Sequence, residues 1–178
     1  MTGAMEWISN FLYAAILAGV PLLFGTLGEI LTEKAGNINL GVEGMMYMGA
    51  VFGFMGAYYL DSAIATLLFA FLGGLGGALV YAFLTVTLKA NQNVAGLTLT
   101  IFGTGLANLL GTNMINGSGS GAAMVSDAME AFFRPMDMGA LTAIPYLGKL
   151  LFNHSLFTYL GIVLAIAAGW YLNHTAQG

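Results

Sequence analysis

A chain of 178 residues that is 58% hydrophobic and only 7% charged, with a mean hydropathy of +0.85, lies far from soluble proteins, in which about a quarter of residues are charged. Its net charge of −4 comes without a basic cluster, which argues against nucleic-acid binding and against a polybasic lipid-binding patch. The absence of cysteine removes disulfides, thiolate catalysis and cysteine-based metal sites. The 26 glycines suit helices that approach closely inside a bilayer, so the expected fold class is all-α, a polytopic transmembrane helical protein.

Glu6 lies near the start and no Lys or Arg precedes Lys34, so the first apolar run reads as structure rather than as a cleavable signal. Crossing the hydrocarbon core takes about 20 apolar residues as a helix. Trp7 to Leu31, Val42 to Leu60, Ala63 to Leu88 and Leu156 to Leu172 meet that requirement. A fifth stretch, Val94 to Leu110, holds Thr98, Thr100, Thr104 and Asn108, so part of its surface must face protein or a water-filled path. The expectation is five spans within a single transmembrane domain over residues 1–178.

Residues 111–153 change character, with Asn113, Asn116, Asp127, Glu130, Arg134 and Asp137, and are expected as a long outer loop. Its later part, Leu141 to Phe152, is apolar but interrupted by Pro145 and Gly148, which suits a short interfacial helix. Trp7, Tyr58, Tyr59, Tyr146, Trp170 and Tyr171 fall near span ends, as interfacial aromatics do. Lys34 and Lys89 place their two short turns in the cytoplasm, which puts the N-terminus outside and the C-terminus inside. His154 and His174 have no metal-ligand spacing and read as interfacial polar residues.

Polar residues concentrate at two turns. The first, from Gly28 to Gly44, contains Glu29, Glu33, Lys34, Gly36, Asn37, Asn39, Gly41 and Glu43. Lys34 suits the negative end of the first helix, Gly36 the left-handed cap, and Glu43 the positive end of the second helix. If that helix begins early, Asn39 and Glu43 share a face. Asn37, Asn39 and Glu43 fit either a capped turn or pathway-lining groups, and both readings stay open.

The second concentration, Lys89 to Gly96, carries Asn91, Gln92 and Asn93 and leads towards Thr98, Thr100 and Asn108. Amides and hydroxyls there can recognise an uncharged polar solute or bind helix to helix. Gly73 and Gly77 form a Gly-x-x-x-Gly pair that reads as a close helix crossing and not as a phosphate loop. No catalytic arrangement stands out, so an enzyme is not expected.

The runs Glu33-Lys34-Ala35-Gly36-Asn37-Ile38-Asn39-Leu40-Gly41-Val42-Glu43-Gly44 and Lys89-Ala90-Asn91-Gln92-Asn93-Val94-Ala95-Gly96 resemble paired signatures of permease subunits of nucleoside-type ATP-binding-cassette (ABC) importers. That group is related to ribose, simple-sugar and branched-chain amino-acid permeases. The resemblance implies a second permease subunit, a cytoplasmic ATPase carrying the ATP and Mg, an extracytoplasmic solute-binding lipoprotein and surrounding membrane lipid as partners, with no cofactor in this chain. It places the chain in a bacterial inner membrane and carries Asn39, Leu40, Gly41, Glu43 and Gly44 into the translocation core. Members of the group continue past Gly178 into a coupling segment, so the chain is expected to be a fragment or a truncated product. Sugar or amino-acid transport, a passive channel and a non-transporting membrane scaffold are the alternatives.

Overall fold

The computed structural model describes residues 2–119, 121–136, 139, 142, 144 and 147–174. It is helical in α1 (Thr2–Lys34), α2 (Val42–Leu60), α3 (Ala63–Ala82), a π-helical turn (Phe83–Thr87), α4 (Gln92–Gly117), α5 (Asp127–Phe133), α6 (Leu147–Phe152) and α7 (Leu156–His174). Among the described residues, four stretches are long and apolar enough to cross a membrane: Gly3–Lys34, Ala63–Thr87, Gln92–Gly117 and Leu156–His174. The chain is thus a multi-pass helical membrane protein.

One of the five expected spans, Val42 to Leu60, is a continuous 19-residue helix, α2, but is absent from those four. Glu43, its glycines and its tyrosines dilute its apolarity. It compensates by packing against its neighbours, with Gly44, Met48, Val51, Gly53, Gly56 and Ala57 buried. A helix that buries one face against protein does not need an apolar surface all round.

Helix ends follow local chemistry. In the turn after α1, Gly36 has φ +86°, its N–H donates to the Glu33 carbonyl at 2.9 Å and the Asn37 N–H to the Thr32 carbonyl at 3.0 Å. This is the Schellman pattern that glycine permits. Ser62 caps α3 by accepting from the Ala65 N–H at 3.4 Å, and Asn91 caps α4 by accepting from the Asn93 and Val94 N–H groups at 3.0 and 3.2 Å.

The largest shift in a span limit is at the end of α4. The polar run after Leu110 contains no breaker before Gly119 (φ +68°), so α4 continues to Gly117 and the loop begins seven residues later than expected. That loop carries the additional helix α5, whose first turn is capped by Ser126 at the Met129 N–H, 3.2 Å. Where a short helix was expected in the later part of that loop, α6 spans Leu147–Phe152. The sequence readings at Asp137, Leu141, Pro145 and Tyr146 lie outside the described residues.

The chain divides into two compact units, Gly28–Phe132 and a second formed by Met1–Leu27 with Phe133–Gly178. Within the second, Gly161 of α7 faces the Phe24 ring, which a Cβ would meet at 3.2 Å. His154, expected as an interfacial group, lies just before α7 and is 2% exposed. It stacks on Tyr13 with ring centroids 5.0 Å apart and donates from Nε2 to the Leu150 carbonyl at 2.8 Å. In the Gly28–Phe132 unit, the buried core is Tyr81, Ala95 and Leu99, joined by Met45 and Leu84, where α2, α3 and α4 meet.

Candidate functional site

The polar turn between α1 and α2 lies wholly within the Gly28–Phe132 unit. Residues 35–41 are irregular, so their backbone groups lack the ladder that a helix supplies, and inside a membrane protein such groups need partners. Side chains from three helices and the turn itself supply them.

Glu29 of α1 accepts the Asn39 N–H at Oε1, 2.7 Å, while its Oε2 accepts the Thr32 hydroxyl at 3.0 Å. Gln92, at the first turn of α4, accepts the Ile38 N–H at 2.9 Å. The same amide donates to the Gly36 carbonyl at 3.3 Å and to Asn37 Oδ1 at 3.1 Å. Tyr81 of α3 donates its hydroxyl to the Ile38 carbonyl at 2.5 Å, and Thr100 of α4 donates to the Leu40 carbonyl at 2.9 Å. Asn39 is buried, and its Oδ1 accepts the Gly41 N–H at 2.9 Å.

The turn is thereby fastened to the ends of α1, α3 and α4 at once. Charge-assisted bonds such as Glu29 to Asn39 are stronger than neutral ones. Glu29, Asn37, Asn39, Gln92 and Thr100 therefore converge on one structure.

The helix does not begin early enough to put Asn39 and Glu43 on one helical face. It starts at Val42, because Asn39 turns its side chain back onto the Gly41 amide. Glu43 is exposed in the first turn of α2, with no hydrogen bond or ion pair among the described residues. Asn91 is occupied in capping, Asn93 is exposed, and Thr98 donates back to the Val94 carbonyl at 2.8 Å. Asn108 is exposed on α4 and does not join the network.

The glycines account for how closely the helices approach. Around Gly41, a Cβ would meet the Gly96 carbonyl at 3.1 Å, and one on Gly96 would lie 2.8 Å from the Leu40 N. Further along, Gly44 and Gly103 face each other with backbone against backbone: a Cβ on Gly103 would lie 2.7 Å from the Gly44 Cα. Gly73 and Gly77 sit on the α3 side of α2, where a Cβ would meet the Met48 carbonyl at 2.8 Å and the Met45 Cγ at 3.1 Å, respectively. The tightest crossing is therefore α2 on α4, not the α2–α3 contact at the Gly-x-x-x-Gly pair.

Three residues of the site escape a reading of the motifs alone. Tyr81 is a phenol near the end of an otherwise apolar span, and a buried hydroxyl requires a partner. Thr32 sits one turn from Glu29, within helical reach of it. Gly103 follows Gly96 by seven residues, two helical turns along the same face.

The family of branched-chain amino acid transport system / permease components matches residues 10–178. The chain is 33% identical over 172 residues to a "Putative glucose ABC transporter permease protein" of Haloferax volcanii, covering 94% of this chain and 48% of that protein. It is 29% identical over 181 residues to a guanosine ABC transporter permease protein of Bacillus subtilis, covering 98% and 55%. To a nucleoside ABC transporter permease protein of Lactococcus lactis it is 32% identical over 165 residues, covering 88% and 49%. The chain spans about half the length of the curated relatives it matches. No solved structure matches it.

Proposed function

This chain belongs to the family of branched-chain amino acid transport system / permease components, and from that premise we propose that it contributes solute-conducting helices to an ABC importer of nucleosides. The observation that carries the reading is the fastened turn at residues 35–41, leading into α2. Irregular backbone is tolerated at membrane depth where protein buries it or where it lines a cavity, and α2, which follows it, packs along one face on α3 and α4 while leaving the Glu43 carboxylate uncovered.

Two of the relatives described above are nucleoside or guanosine permeases, which supports nucleosides as the solute. The glucose permease name on another relative supports simple sugars as the second reading. In this proposal a second permease subunit completes the path, a cytoplasmic ATPase hydrolyses ATP, and an extracytoplasmic lipoprotein delivers solute. The Lys34 and Lys89 turns face the cytoplasm and the N-terminus faces outside.

Purifying the full-length permease from its native membrane tests the assignment. The expected result is copurification of an ATPase subunit whose hydrolysis rises when nucleoside-loaded binding lipoprotein is added. Solute-independent hydrolysis, or a permease that purifies without any ATPase, would contradict it.

A further inference from the structure

Both backbone polar groups of Ile38 are gripped, the carbonyl by the Tyr81 hydroxyl of α3 and the N–H by the Gln92 amide of α4. Residues 82–91 join these two jaws, and two departures from regular backbone fall within them. The first is Phe83–Thr87, the one π-helical turn among the described residues. There the Leu88 N–H reaches back to the Phe83 carbonyl at 3.0 Å, and the buried Thr85 donates its hydroxyl to the Tyr81 carbonyl at 2.9 Å. The second is Lys89, at φ +53°. It takes the left-handed position of a Schellman end, which the Ala90 N–H closes on the Leu84 carbonyl at 2.9 Å.

Ending α3 requires neither departure. A plain α-helical end with glycine at the left-handed position carries no such strain. A π-turn closes on the fifth residue instead of the fourth, so it winds an extra residue into the helix, and that residue is slack. Unwinding to α geometry moves the Leu88 N–H onto the Leu84 carbonyl, which Ala90 gives up. The link before Asn91 then gains about 3.5 Å of reach, and Lys89 leaves its strained conformation, which lowers the cost of opening. Only the first turn of α4 has to follow, because Asn93 and Val94 are exposed and Ala95 is the first buried residue of that helix.

We propose that the Phe83–Thr87 turn is a slack store that lets Gln92 draw off the turn after α1 and return, and that this opening is a step of the transport cycle, a role that rests on the permease reading. The release is divided. Gln92 holds Gly36, Asn37 and Ile38, whereas Glu29 holds the Asn39 N–H and Thr100 the Leu40 carbonyl. Residues 36–38 therefore loosen while residues 39–40, which lead into α2, stay fastened. Tyr81 precedes the π-turn and keeps its place in the core, so one jaw opens and the other stays.

The test reads amide hydrogen exchange at Ile38 and at Asn39 in the full-length importer with its partner subunits, without ATP. Deleting Val86, a residue of the π-turn that is 62% exposed, removes the slack and leaves an α-helix across the same gap. It should slow exchange at Ile38 about tenfold, the protection that goes with an ordinary hydrogen bond, and leave Asn39 unchanged. Lys89→Gly removes the strain and should slow Ile38 in the same sense. Lys89→Ala removes the charge but keeps the strain, and should match the wild type. With ATP and the binding lipoprotein, the two slowing variants should lose maximal rate of adenosine uptake at unchanged KM, and Lys89→Ala should not.

Equal Ile38 exchange in the wild type and a folded Val86 deletion overturns the slack store, and equal slowing at Ile38 and Asn39 overturns the one-jaw release. Should the deletion fail to fold, Lys89→Gly decides: exchange at Ile38 no slower than in the wild type, or Lys89→Ala as slow as Lys89→Gly, overturns the proposal. Slowed exchange with undiminished uptake, in an importer whose wild type takes up adenosine with ATP, overturns the opening as a step of the cycle and leaves the permease reading standing. A wild-type importer that takes up no nucleoside overturns the permease reading itself, while the exchange measurement, which needs no uptake, still decides the slack store.

Discussion

Replacing Gly103 by alanine puts a methyl group where the backbone of α2 already lies. The added Cβ would fall 2.7 Å from the Gly44 Cα, where ordinary contacts begin at 3.4 Å, so α2 and α4 have to part by roughly 1 Å. A separation of that size carries the 2.9 Å bond from the Thr100 hydroxyl to the Leu40 carbonyl out of hydrogen-bond range. Overpacking costs about 1–3 kcal/mol and the lost bond about 1 kcal/mol, against about 1 kcal/mol returned by the better helix propensity of alanine. The net expectation is a loss of about 1–3 kcal/mol. Gly105→Ala on the same helix meets nothing within 4 Å and should be neutral or slightly stabilising. Thermal unfolding of the full-length protein in detergent, followed by size-exclusion chromatography, compares the two variants directly. Equal stability of Gly103→Ala and Gly105→Ala would refute the backbone contact between α2 and α4.

Gln92→Ala removes the acceptor of the Ile38 N–H together with the donor to Gly36 and Asn37. It should cost about 1–3 kcal/mol and speed hydrogen exchange at the Ile38 amide, while unchanged exchange there would show that the turn is held by other groups. Tyr81→Phe leaves the Ile38 carbonyl without its donor and should destabilise by about 1 kcal/mol or more, measured by detergent-induced unfolding against Tyr159→Phe as a comparison at a more exposed carbonyl contact. Gly36→Ala keeps open space around the new methyl but forces φ +86° on an L residue, a cost of about 1–2 kcal/mol. Gly36→Asn, which tolerates that region better, should recover part of the loss in the same assay.

The membrane fold was legible because composition and span length act locally. The five long apolar or semi-apolar stretches became α1, α2, α3, α4 and α7. Boundaries were less legible where a helix continues through polar residues, as α4 does past Leu110 to Gly117, because polarity alone does not stop a helix. Gly36 could be read in advance, since a left-handed cap needs only its immediate neighbours.

At the site, the polar turns were visible as clusters, but their partners were not. Gln92 reaches Ile38 and Gly36 across more than fifty residues of sequence, a pairing set by the approach of α4 to the turn after α1. Tyr81 lacked polar neighbours in the sequence and Gly103 carries no side chain, so both acquire their meaning from the core and the helix crossing. The burial of His154 was not legible, because the Tyr13 ring that stacks on it comes from tertiary packing, while the Leu150 carbonyl that accepts from it is one turn away in sequence.

The proposed function is that these helices conduct nucleosides under the drive of a partner ATPase. Its most direct measurement is uptake of labelled adenosine into proteoliposomes containing the full-length permease with its ATPase and binding lipoprotein. The account predicts accumulation that requires ATP and the binding lipoprotein. Accumulation that is indifferent to ATP, or none above protein-free vesicles, would contradict it.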